Sequence, residues 1–183
     1  MPPLPSWNGI HPLVVHFPIA LLTVAPLLVV IGLAARSHRA FFLSALLLMA
    51  LGAGGSWLAV ASGEAASQLA ERVPGVAPLL KHHEEMAETT RALFTALTLG
   101  YAAMLAIAWV LRPNLRFTAV LGACAVFLAG YSAALVYMAN TAHQGARLVH
   151  EMGVHAPLMA VSTPRVPPAG GGDENLRRGE GDD

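Results

Sequence analysis

The sequence predicts an all-α integral membrane protein, an antiparallel up-down bundle of four helices with both termini on the outer side. Three observations predict it. Only 12% of the 183 residues are charged and the mean hydropathy is +0.57, values that belong to membrane proteins rather than soluble ones. Four uncharged runs, 12–35, 40–61, 92–111 and 117–139, can each cross a hydrocarbon core, which takes roughly 20 apolar residues at about 1.5 Å of rise each. The turns joining runs one to two and three to four carry Arg36, Arg39, Arg112 and Arg116 and no acid, so the preference of basic loops for the cytoplasm places both inside.

The formal net charge is zero, which removes any electrostatic ground for a nucleic-acid partner and leaves the lipid bilayer as the expected one. Cys124 is the single cysteine; it can form no internal disulfide, and without a CxxCH motif there is no covalent attachment of a c-type haem. The opening MPPLPSWNGIHP lacks the basic region and small-residue cleavage site of a signal peptide, so the first run is expected to be a retained span.

Span one opens on Pro12, suited to a first turn whose N–H has no partner anyway. Pro18 and Pro26 each remove an intrahelical bond and should bend it. In span two, Gly54 and Gly55 thin the helix. Ala92, Ala96 and Gly100 in span three, and Ala125, Ala129 and Ala133 in span four, recur one turn apart and are expected to bring helices into close contact. Trp7 and Trp57 fall at one membrane boundary, and Phe41, Phe42 and Trp109 at the other. The connection 62–91 carries Arg72, Lys81 and Arg91 against Glu64, Glu71, Glu84, Glu85 and Glu88, a mildly acidic balance that suits the outer side. Good helix formers extend the third helix outward from about Lys81 and the fourth past Ala139, with Gly153 as its stop. Residues 1–155 form the four-helix domain; 156–183, rich in Pro, Gly and charge, read as a disordered tail.

This topology places His11, His16, His82, His83, His143, His150 and His155 at the outer end, and His38 alone at the inner one. Counted at about 1.5 Å per residue from the cytoplasmic turns, His11, His83 and His143 lie at similar height, roughly 37 to 44 Å, and His16 deeper, at about 30 Å. A polar side chain at that depth is expected to face the bundle interior. His82 and His83 are about 100° apart on a helix, so one of them points inward; His143 and His150 share a face. Imidazoles so placed can ligate haem iron, bind Zn or Cu directly, move protons, or only hydrogen-bond at a helix end. Met86 or Met152 would add a soft ligand for Cu(I), Glu85 could orient an imidazole, and Arg147 can pair with Glu151. There is no HExxH, phosphate loop or nucleophile elbow.

HPLVVHFPIALL, beginning at His11, together with AHQGARLVHEMGV near the end, resembles the bacterial four-helix membrane family catalogued as domain of unknown function 2231. The likeness covers roughly Ile10 to Val154. Relatives read HPxxVHFP at the first helix, a histidine ahead of the third, and HxGGxLVYxHG after the fourth. That pattern maps onto His11, His16, His83 (or His82) and His143, with Gly145, Leu148, Val149 and Gly153. Ala146 replaces the second glycine, His150 the tyrosine and Met152 the last histidine. The resemblance implies a bacterial cytoplasmic membrane with the histidine cluster facing the periplasm. The family's occurrence beside Rieske-type and cytochrome c-type modules implies electron transfer, and it sets haem b above a bare ion.

The expected function is therefore that of a b-type cytochrome-like electron carrier or subunit rather than a stand-alone enzyme. Haem would be held by His11, His16, His83 and His143, with no preferred pairing, and electrons exchanged with a quinone pool or with a cytochrome c-type or Rieske-type partner. The alternative is a Cu, Zn or Fe ion held from among His11, His16, His82, His83, His143, His150 and Met152. A third reading is a non-catalytic anchor subunit of a redox complex; a hetero-complex and a homo-oligomer both stay open.

Overall fold

The computed structural model describes residues 7–35, 38–110 and 117–154, and every regular element among them is helical. Arg36, Arg112, Arg116, His155 and the tail 156–183 lie outside the described residues. A short 3-10 turn, Trp7–Gly9, leads into α1 (His11–Val14), α2 (His16–Ala34), α3 (His38–Ala70), α4 (Ala77–Val110) and α5 (Phe117–His150). Four stretches, His11–Ala34, Arg39–Ala70, Ala77–Val110 and Thr118–His150, are long and apolar enough to cross a membrane.

The prolines of the first span act as their chemistry requires. Pro18 has no N–H to offer the Val14 carbonyl, and the helix is interrupted at Val15, whose carbonyl Ile19 reaches only at 3.4 Å. Pro26 lies inside α2 and deprives the Leu22 carbonyl of its helical donor in the same way. There the bundle supplies a substitute: the Tyr131 hydroxyl on α5 donates to Leu22 O at 2.9 Å. An unpaired backbone group at membrane depth is costly, so this one bond both repairs α2 and ties it to α5.

Glycines set the approach of α1 and α2 to α3. Gly32 lies against Phe41 and Phe42, Gly52 against Leu22, Gly55 against Phe17 and Pro18, and Gly63 against His11. A Cβ on Gly52 would fall 2.7 Å from Leu22 Cγ, so the buried Leu22 side chain or one of the helices would have to shift. Rising numbers on α3 thus meet falling numbers on α2 and α1. Thr98 reaches the Met49 carbonyl on α3, while Arg91 stacks over Trp57 at 4.3 Å and Trp57 donates to Thr95. Between α4 and α5 the ties are Thr90 to Thr141 and Phe94 edge-on to Tyr131, with Tyr101 beside Phe127. Contact of α2 with α5 closes the bundle around Leu22, Ala25, Val29, Ala45, Met49, Phe94, Tyr101 and Tyr131.

Two expectations change. The rows Ala92, Ala96, Gly100 and Ala125, Ala129, Ala133 are exposed, and a Cβ on Gly100 would meet nothing within 4 Å. These small residues face away from the bundle, because the larger Phe94, Tyr101, Phe127 and Tyr131 occupy the inward faces of the same helices. The second helix also runs past Ala61 to Ala70, since GEAASQLA contains no strong breaker beyond its glycine. The connection between α3 and α4 shrinks to 71–76, with Gly75 at φ +79 making its turn. The ends of α3, α4 and α5 then meet in a small apolar cap of Ala70, Val76, Leu80 and Leu148, joined by Met152. As expected, α4 and α5 extend well beyond the length a bilayer needs; α5 stops at Gly153, whose φ of +68 is the left-handed conformation glycine adopts after a helix.

Candidate functional site

His11 and His83 form the inward-facing imidazole pair at the capped end. His11 stands just before the apolar run 12–35, and His83 before the apolar run 92–111. His11 begins α1, where the chain turns from the 3-10 segment onto α3, and its ring crosses to that helix. His11 Nδ1 is 2.9 Å from the Ala59 carbonyl and 3.1 Å from Ser62 Oγ. A carbonyl only accepts, so Nδ1 carries the proton and donates. Ser62, wholly buried, gives its own proton to the same carbonyl at 2.9 Å and can receive a share of the His11 N–H.

His83 repeats the arrangement on α4. Its Nδ1 donates to the Thr141 carbonyl of α5 at 3.1 Å, while the Thr141 hydroxyl pairs with Thr90 at 2.9 Å. That buried pair anchors the turn of α5 on which the imidazole rests. In both residues Nε2 is left with its lone pair and no hydrogen-bond partner among the described residues. Fixing Nδ1–H on a carbonyl selects the tautomer that presents Nε2 as a ligand or acceptor.

Each ring is seated over a glycine. A Cβ on Gly63 would stand 3.1 Å from His11 Cε1, and one on Gly145 3.0 Å from His83 Cε1. In the neutral form each imidazole can ligate a metal through Nε2.

The other histidines are not joined to this pair. His16 is exposed, with Nδ1 turned back onto the Pro12 carbonyl of its own helix at 2.6 Å, so its depth does not bring it into the interior. His82, His143 and His150 are exposed. His143 shares the height of His83 but not its direction: Thr141 and Gly145, one turn apart, hold the inward face, and two residues from Thr141 is about 200° around the helix. Met86 is buried on α4, its carbonyl taking the Thr90 hydroxyl at 2.8 Å, and Met152 packs in the apolar cap near Gly75. Arg147 pairs with Glu151 at 3.0 Å as the spacing predicts, in solvent. Among the described residues no three His, Cys, Asp or Glu side chains converge as a metal group would.

Ala59, Ser62, Gly63 and Thr141 escaped the sequence reading, because a carbonyl seat has no residue signature. Gly145 was visible only within HQGARLV. With the geometry in place, comparison with known families gives one result: the family model described as "Predicted membrane protein (DUF2231)" matches residues 8–157. The chain belongs to the DUF2231 family. No curated protein and no solved structure matches it. The matched DUF2231 region contains both imidazoles and both of their seats.

A cavity of about 180 Å³ lies at the other end of the bundle, bounded by Phe42, Tyr101, Met104, Leu105, Val120 and Cys124. It is remote from the imidazoles and almost wholly apolar, and it offers them no chemistry.

Proposed function

We propose that this DUF2231 protein is a membrane electron-transfer protein of the b-type cytochrome kind, holding haem through histidine at the outer end of its bundle. In this reading it is an antiparallel up-down bundle in the bacterial cytoplasmic membrane. Its termini and histidines face the periplasm, and it passes electrons between the quinone pool and an external redox partner. The observation that carries the reading is the pair His11 and His83: half-buried imidazoles on separate helices, each held through Nδ1 and each presenting an Nε2 without a hydrogen-bond partner among the described residues. These two nitrogens would hold haem iron, which would supply one-electron exchange. A closed zinc site takes four protein ligands, and a copper site usually three or more. The donor chemistry of the pair fits haem better than either.

The protein's part is to orient. The Ala59 and Thr141 carbonyls fix the tautomers, the glycines admit the rings, and the cap of Val76, Leu80 and Leu148 covers the end of the bundle against water. Full-length protein purified in lipid nanodiscs should show a Soret band and, on reduction, α and β bands. His11→Ala and His83→Ala should each abolish most of that absorbance. Colourless protein carrying stoichiometric Cu, Zn or Fe would instead favour an ion site, and colourless, metal-free protein an anchor role. Full haem content in both variants would sink the assignment.

A further inference from the structure

The chain contains the same helix hairpin twice. In the first, α1 and α2 pack on α3; in the second, α4 packs on α5. On the leading helices His11 matches His83, Leu22 matches Phe94, and Val29 matches Tyr101. Each pair is separated by the same stretch of sequence, and the last two pairs are fully or almost fully buried. On the following helices the same holds for Met49 and Tyr131, Ala59 and Thr141, and Gly63 and Gly145, again with one constant spacing. The match is in chemistry as well as burial. Each imidazole donates from Nδ1 to a carbonyl of the following helix, and the glycine beneath each ring stands one helical turn beyond that carbonyl. A side chain one turn along would cover the carbonyl; glycine leaves it open to the ring. The distances at which a Cβ would collide with each imidazole, 3.1 Å and 3.0 Å, are nearly the same.

We propose that Gly63 and Gly145 are the positioning residues of two equivalent imidazole seats, one per hairpin, which together would supply both protein ligands of one haem iron. The inference rests on the haem reading and sharpens it. With both ligands supplied by fixed imidazoles, the haem would exchange electrons and would not take up a diatomic gas. The substrate of the site is then the electron alone, and any quinol oxidised by the protein reacts at the haem edge rather than at the metal.

The seats are testable without haem. In nanodisc-embedded full-length protein with 15N-labelled histidine at neutral pH, His11 and His83 should show a protonated Nδ1 and an unprotonated Nε2. Gly63→Ala should change only the His11 signals and Gly145→Ala only the His83 signals. Gly100→Ala, where a Cβ meets nothing within 4 Å, should change neither, which controls for general disturbance by an added methyl. Unaltered tautomers in both seat variants would overturn the proposal, even if the protein is red. In the haem-loaded, reduced protein, carbon monoxide should leave the wild-type spectrum unchanged. Either seat variant should acquire a carbon monoxide difference spectrum and lose haem about tenfold faster to apomyoglobin. A carbon monoxide complex of the wild type would overturn the closed-iron part while the tautomer result stood. Colourless wild-type protein would overturn the haem reading, leaving the seats to be decided by the labelled histidines.

Discussion

His11 and His16 belong to one short stretch and have opposite surroundings. His11 reaches a carbonyl of another helix and is half-buried; His16 turns back to a carbonyl of its own helix and is exposed. His83 and His143 repeat the contrast at a shared height. Height in the membrane is set by counting along a helix, but contact is set by rotation about its axis, and an error of two residues reverses a side chain's direction. A carbonyl fixes Nδ1 in both residues; what sets His11 apart is that the carbonyl belongs to a neighbouring helix.

The largest test of that contrast is functional. His11→Ala and His83→Ala should each reduce haem content more than tenfold, whereas His16→Ala and His143→Ala should retain it; heme extracted per mole of protein gives the comparison. Loss in the exposed pair with retention in the inward pair would invert the assignment.

A smaller effect is expected within the hydrocarbon. Tyr131→Phe removes the hydroxyl that serves the carbonyl orphaned by Pro26, at a cost of about 1–2 kcal/mol. Pro26→Ala restores the backbone donor, so the same tyrosine change should cost less in that background. Equal costs in both, measured by unfolding in mixed micelles, would show that the hydroxyl serves the helix in some other way. The smallest change should come from Ser62→Ala, since the Ala59 carbonyl still holds His11 Nδ1. Haem content should stay and the reduction potential should shift slightly.

Much of the architecture was legible because hydrophobic length is a property of the chain itself. The four long apolar helices, the extension of α4 and α5 beyond their apolar runs, the glycine stop after α5 and the Arg147–Glu151 pair all follow from local composition and helical spacing. So does the inward choice of only one of His82 and His83. The extension of α3 to Ala70 was missed because a polar helix above a membrane resembles a loop in hydropathy. The small-residue rows were read as contact faces, and only the packing of Phe94, Tyr101, Phe127 and Tyr131 turned them outward.

The sequence by itself determined that this is a chain of four apolar helices with nearly all its imidazoles at one end. Tertiary structure decided which two of those imidazoles bond to a neighbouring helix, because that depends on the rotation of each helix against its neighbour. It also decided which carbonyls, on Ala59 and Thr141, lie bare enough beside a glycine to hold them.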